Sequence, residues 1–176
     1  MKAALLYAPG DLRVEEVPRP DPGPGDVLVQ VEVALTDGTD LKTFRRGHPV
    51  LAVESPAPFG HEFCGIVEGC RVVAANSAPC GACAGCMLGE QCRELVFLAG
   101  AYADWIVVPE RIATVNLHEI PVGLAPEVAA MTEPLACCLR GIEPKLRRVA
   151  IASEQDIAGR VGDANTPHTW SCAHQA

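Results

Sequence analysis

Residues 79–92 read "PCGACAGCMLGEQC", four cysteines within fourteen residues. Nothing else in the chain limits the fold so tightly. Four thiols this close must be paired as disulfides, bound to a metal or used in redox chemistry. The N-terminus, "MKAALLYAPGDLRVEE", has too short an apolar run for a secretion signal. No stretch approaches the ~18 apolar residues of a membrane span. The expectation is therefore a cytoplasmic, membrane-free protein, in which thiols stay reduced and clustered cysteines serve metal or catalysis. Nine cysteines in all leave at least one unpaired in any all-disulfide scheme. Cys80, Cys83 and Cys86 are spaced C-x2-C-x2-C, and Cys92 follows after five residues. Zinc takes four tetrahedral ligands with sulfurs ~2.3 Å away, and a C-x2-C step lets two thiolates reach one ion from a tight turn. Gly81, Gly85 and Gly89 allow the backbone to curl. A tetrathiolate with no open position is a structural site that staples a loop lacking its own core. The alternatives are a reduced, uncommitted surface loop and a thioredoxin-like pair; the second lacks its βαβ surroundings.

A chain of 176 residues can bury a sizeable core. Its net charge is −8 and it has no Lys/Arg block, which excludes nucleic acid as the main partner. Short strands are predicted at "MKAALLY", "LRVEEVP", "VLVQVEVAL" (27–35), "FGHEFCGIVEG", "RVVAA", "AYADWIVVP" and "RIATV". The proline run at 18–26 is neither helix nor central strand. "TDLKTFRRG" reads as a short helix ending at Gly47, "APEVAAM" as another, and "PLACCLRGI" as a third opened by Pro134. Many short strands between Gly/Pro turns give a mainly β fold with short helices, a barrel or sandwich. From residue 145 the chain opens on the strand-like "RRVAIA" and then shows no steady period.

Ligand-type residues also occur singly, at "TDGTD" (36–40), "GHE" (60–62) and "TEP" (132–134). Asp37, His61 and Glu133 could supply the three protein ligands of a catalytic zinc that keeps one position open. Each also has a bland reading. Asp37 and Asp40 suit turns and helix caps, a lone His is often structural, and Glu133 complements a helix N-terminus.

Taken together, these pieces resemble the zinc-dependent medium-chain alcohol and polyol dehydrogenases, over roughly residues 1–144. "MKAALLYAPGDLRVEEVPRPDPGPGDVLVQVEVAL" is similar to the family's N-terminal barrel strands. "GTDLK" follows the first zinc ligand, "PFGHEFCGIV" carries the second, and "GAYADWIVVP" comes after the thiolate lobe. "TEPLACCLRGIE" resembles the sorbitol and threonine dehydrogenase branch. The resemblance implies a GroES-like β-barrel catalytic domain (1–144) with a structural zinc lobe at 79–95. It also implies a catalytic zinc on Asp37, His61 and Glu133, and a structural zinc on Cys80, Cys83, Cys86 and Cys92. Thr39 corresponds to the residue that relays the substrate proton. Asp40 corresponds to the carboxylate that orients the ligand histidine, and Glu62 to the acid near or on the metal. The implied reaction is hydride transfer from an alcohol, polyol or sugar to NAD(P), in a family that is often dimeric or tetrameric.

Four departures stand out. Asp37 replaces the usual cysteine, which hardens the site; an Asp occurs there in some glucose dehydrogenases of the family. The hairpin after "GIVE" is short by roughly a dozen residues, with Cys70 where an aspartate is expected. Cys92 arrives about two residues early, although six peptide units still span up to ~20 Å. Finally, "VAIASEQDIAGRVGDAN" lacks the G-x-G-x-x-G turn of a nucleotide-binding domain. Residues 145–176 therefore read as an aberrant tail where the Rossmann domain would begin, with no cofactor-binding residue assigned. Three states stay open: a dehydrogenase catalytic domain without its cofactor half, a non-catalytic zinc-binding module of the same fold, and a decayed gene product with a bare helix face along "PLACCLRGI".

Overall fold

The computed structural model describes residues 1–52 and 54–150, with side chains described up to residue 142. The chain runs β1 (Lys2–Ala8), β2 (Asp11–Glu16), β3 (Val27–Leu35), α1 (Gly38–Arg46), β4 (Ala57–Pro58), β5 (Glu62–Val67), β6 (Cys70–Ala74) and β7 (Ser77–Ala78). It continues through α2 (Ala84–Met87), β8 (Val96–Phe97), β9 (Trp105–Val108), α3 (Glu110–Asn116), β10 (Leu117–Glu119), α4 (Pro126–Ala130) and α5 (Thr132–Ala150). Every strand pair is antiparallel. The strands form a five-stranded sheet in the order β10-β6-β5-β3-β9, a three-stranded sheet, β2-β1-β4, and the short pair β7-β8. The architecture is mainly β with few helices, as expected from the sequence.

The core follows from the apolar alternation of the central strands. Val29, Phe63, Val72, Leu98, Val108 and Ile112 are all but sealed from solvent and form one cluster. A second cluster joins Cys64 and Val73 of the sheet to Ile120, Ala129 and Ala130, and it seats α4 across β3 and β5. Tyr102 joins a third, with Leu6, Ala57 and Phe59.

Two elements differ from the sequence reading. "RIATV" is not a strand but the body of α3. Five apolar-rich residues fit either period, and the tertiary surroundings decide. Asp26 Oδ1 accepts the Glu110 N–H at 2.8 Å, and one-sided burial of Ile112 suits a helix. "PLACCLRGI" lies in a helix of 19 residues that begins at Thr132, two residues before Pro134. The helix runs to Ala150, so the first four residues of "RRVAIA" are helical rather than extended. The remainder of the tail, 151–176, lies outside the described residues. Leu135, Leu139 and Ile142 on α5 are 57%, 59% and 47% exposed, in keeping with the bare helix face read from the sequence. No described helix is long and apolar enough to cross a membrane.

Candidate metal centres

The thiolate lobe is closed at its neck by β7 and β8, where Ala78 pairs with Val96. Between them only Gly85 and Cys92 are buried, so the segment has no apolar core. Its four sulfurs face one another instead. Cys83 Sγ lies 3.6 Å from Cys86 Sγ and 3.8 Å from Cys92 Sγ, and Cys80 Sγ lies 3.6 Å from Cys92 Sγ and 3.9 Å from Cys86 Sγ. These separations are far beyond a disulfide bond of ~2.05 Å. They match the ~3.8 Å edge of a tetrahedron whose corners sit ~2.3 Å from a central zinc. Gly85 permits the fold because a Cβ there would strike the Gln91 carbonyl. The backbone also prepares charge. The N–H groups of Cys86 and Arg93 pull the Cys83 thiol down to about 6. The Cys80 N–H, 3.3 Å from its sulfur, lowers Cys92. Burial and neighbouring thiols push Cys86 up to about 12. Two sulfurs favour the thiolate while a third resists it, a conflict that a central dication removes.

The second cluster is assembled by strand register. In the β3–β5 ladder Leu35 opposes Glu62, the last residue of one strand against the first of the other. The residues just beyond, Thr36-Asp37 on one side and His61 on the other, therefore emerge at the same sheet edge. Gly60 makes the entry: its φ is +85°, and a Cβ would collide with the Tyr102 ring. Asp37 caps α1, its Oδ1 accepting the N–H of Thr39 at 2.7 Å and of Asp40 at 2.9 Å. Asp40 closes the capping box on the Asp37 N–H and lies 3.0 Å from His61 Nδ1 through its other oxygen. His61 Nε2 thus points the other way, 3.9 Å from Asp37 Oδ1, too far for a hydrogen bond.

His61 and Glu62 are 2% exposed and Asp40 3%. Burial disfavours the Asp40 charge, but hydrogen bonds from His61 and the Asp37 N–H outweigh it and hold its pKa below the usual range. Burial likewise opposes protonation of His61, and Asp40 outweighs it to raise the imidazole. Glu62 has no such partner. Burial first, then the charges of Asp37 and Glu133, lift its carboxyl to about 7, and its Oε1 lacks any hydrogen-bond partner among the described residues. Ligand atoms of Asp37, His61 and Glu62 lie within 4.8 Å of one another, a set able to hold a metal ion.

Glu133 stands outside that trio, half-buried in the first turn of α5. Its carboxylate contributes to raising the Glu62 pKa, after burial and the charge of Asp37. Of the expected set, Asp37 and His61 fall in the compact trio with Glu62, and Glu133 lies outside it. Thr39 sits half-buried on α1 beside the cap. Two participants were not singled out from the sequence. The Tyr102 hydroxyl lies within hydrogen-bond reach of Thr36 Oγ1 at 2.6 Å, the Leu35 carbonyl at 2.9 Å and Asp40 Oδ2 at 3.1 Å, which share its one proton, and burial raises its pKa. The Cys137 thiol donates to Glu133 Oε1 at 3.3 Å. The helical spacing of Glu133 and Cys137, four residues apart, was a readable signal for the second; nothing local marked the first.

The alcohol dehydrogenase GroES-like domain family matches residues 23–121. Over 157 residues the chain is 33% identical to a sorbitol dehydrogenase of Halalkalibacterium halodurans, covering 78% of this chain and 44% of that one. Over 137 residues it is 38% identical to an L-threonine 3-dehydrogenase of Streptomyces avermitilis, covering 68% and 39%. A Sinorhizobium meliloti 1021 protein assigned as a zinc-binding dehydrogenase, solved bound to NADP, superposes with a TM-score of 0.70 at 34% identity, covering 81% of this chain and 45% of that one. The chain spans less than half the length of these relatives. With more than half of its residues inside the family match, and with two clusters of metal-ligand side chains in the fold, the chain belongs to the zinc-dependent medium-chain alcohol and polyol dehydrogenase family.

Proposed function

We propose that the chain is the metal-holding part of a zinc-dependent oxidoreductase that oxidises a hydroxyl of an alcohol, polyol or sugar with NAD(P). The observation that carries this is the convergence of Asp37, His61 Nε2 and the partnerless buried Glu62 oxygen, with Asp40 braced behind the imidazole. That donor set fits zinc: two carboxylates and an imidazole whose second nitrogen is held by a carboxylate. Asp37 and His61 would hold the ion, with Glu62 in the compact trio and Glu133, in the first turn of α5, as the further carboxylate ligand the family resemblance implies. Zinc supplies Lewis acidity that lowers the pKa of the substrate hydroxyl. The chain's own groups do the rest. Asp40 fixes the His61 tautomer so that Nε2 stays a lone-pair donor, and Tyr102 holds Asp40 in place. Thr39, at the rim, takes the hydroxyl proton and passes it outward. Glu62, balanced near neutrality in the metal-free site, holds or releases a proton beside the reacting oxygen. The four-thiolate lobe carries a second, structural zinc. NAD(P) comes to this reading from the relatives' chemistry, and none of the described residues is assigned to hold it. Cytoplasmic location and homo-oligomerisation belong to the same reading.

A second reading, a zinc-binding module without catalysis, draws on Glu133 standing outside the trio. Cobalt substitution separates the two. The dehydrogenase reading expects two metal equivalents per chain, an oxygen/nitrogen-site d–d spectrum that shifts when a polyol is added, and loss of one equivalent and of the shift in His61→Ala. One equivalent in the wild type, with no response to polyols, would establish the module reading instead.

A further inference from the structure

The proposed centre has lost the cysteine usual at position 37, yet a thiol still stands at its edge. Cys137 lies one helical turn beyond Glu133, and its Sγ approaches Glu133 Oε1 to 3.3 Å. Glu133 in turn acts on the charge of Glu62, whose buried Oε1 has no hydrogen-bond partner among the described residues. Burial rises along the three: Cys137 is exposed, Glu133 half-buried and Glu62 buried. Glu133 is the one member of the ligand set not already gathered within 4.8 Å of the others. A half-buried Glu on a first helical turn has rotamer freedom to lose. We propose that Cys137 is a positioning residue for Glu133: its S–H donates to Oε1, holds the carboxylate toward Glu62, and leaves the second oxygen for the cation beside His61 and Asp37. This rests on the reading of Glu133 as a metal ligand.

Hydrogen-bond partners of metal ligands typically contribute tenfold or more to affinity. A thiol is a weak donor and this one is exposed, so the expected effect is smaller, about three- to tenfold. The test is a chelator titration of the zinc-loaded chain, following the weaker of the two zinc equivalents. Cys137→Ala is expected to raise its Kd by about three- to tenfold, and Cys137→Ser, which keeps a donor, by less than about twofold. Glu133→Gln combined with Cys137→Ala is expected to bind no more weakly than Glu133→Gln alone, because the thiol acts only through that carboxylate. Cys138→Ala, its exposed neighbour, is expected to change nothing. Wild-type affinity in Cys137→Ala, a Cys137→Ser variant as weak as Cys137→Ala, or additive losses in the double variant would each overturn the assignment while Glu133→Gln still binds weakly. Wild-type affinity in Glu133→Gln itself would instead overturn the ligand set of the proposed function, and this inference with it.

Discussion

The two candidate centres are built by opposite means. The lobe draws all four donors from one loop, exposes most of that loop and buries no apolar core. Its sulfurs nevertheless already stand 3.6–3.9 Å apart, at the edges a zinc tetrahedron requires. The oxygen/nitrogen centre draws donors from a helix cap, the start of β5 and the first turn of α5. It is walled by buried side chains, yet one expected donor stands outside the trio. Local chain geometry gathers the first set, and tertiary packing must gather the second. The lobe should therefore depend on its ion for order, and the second centre should be ordered without one and tuned by it.

The largest effect that could break this contrast lies in the lobe. Structural zinc sites contribute on the order of 10 kcal/mol of binding free energy to folding. Replacing Cys80 and Cys92 by Ser is expected to lower lobe zinc affinity by several orders of magnitude and open residues 79–95 to proteolysis. The metal at Asp37 and His61 is expected to stay bound. Metal analysis with mapped proteolysis checks both; simultaneous loss of both metals would show that the centres are not independent.

A smaller effect follows from Glu62. Its carboxyl titrates at about 7 in the folded chain, against about 4.5 when unfolded. Between those values the unfolded state binds fewer protons, so the metal-free fold loses stability as pH rises from about 5 to 7, by on the order of 3 kcal/mol. His61, with its raised pKa, acts in the same direction: its stabilisation is complete below about 6.5 and is lost as pH rises through the folded value. Glu62→Gln is expected to flatten the Glu62 part of the slope, and zinc to reverse it. Denaturant titrations across this window measure the change, and an unchanged slope in Glu62→Gln would assign it to other groups.

The smallest effect concerns Asp37, which caps α1 and faces His61 with the same oxygen. Asp37→Cys is expected to tighten zinc by about tenfold, since thiolate is the softer donor. It is also expected to cost about 1 kcal/mol in the metal-free form, since a thiol caps poorly. Paired metal and denaturant titrations resolve the two. Equal affinity with the cap cost intact would mean that Asp37 serves the helix alone.

The same local-versus-tertiary divide governs what could be read from the sequence. β3 was legible to its ends because 27–35 alternates apolar and polar residues, and α1 because Asp37 and Gly47 bracket it. The four thiols were legible because spacing alone brings them together. Asp37, His61 and Glu133 were named as a ligand set from residue type, and Thr39 and Glu62 through family resemblance, but the grouping of Glu62 with Asp37 and His61 was not visible. Glu62 enters the compact set because Leu35 opposes it in the β3–β5 ladder, and register is not written in a motif. Tyr102 reaches Asp40 only because Gly60 leaves room for its ring. "RIATV" became a helix because Asp26, 84 residues before Glu110, accepts that residue's N–H.

Zinc K-edge X-ray absorption on the fully loaded chain tests the central claim, that one fold carries two centres of unlike donors. The expected result is two zincs per chain and two shells of equal weight, sulfur at ~2.3 Å and nitrogen/oxygen at ~2.0–2.1 Å. A single zinc surrounded by sulfur alone would contradict it.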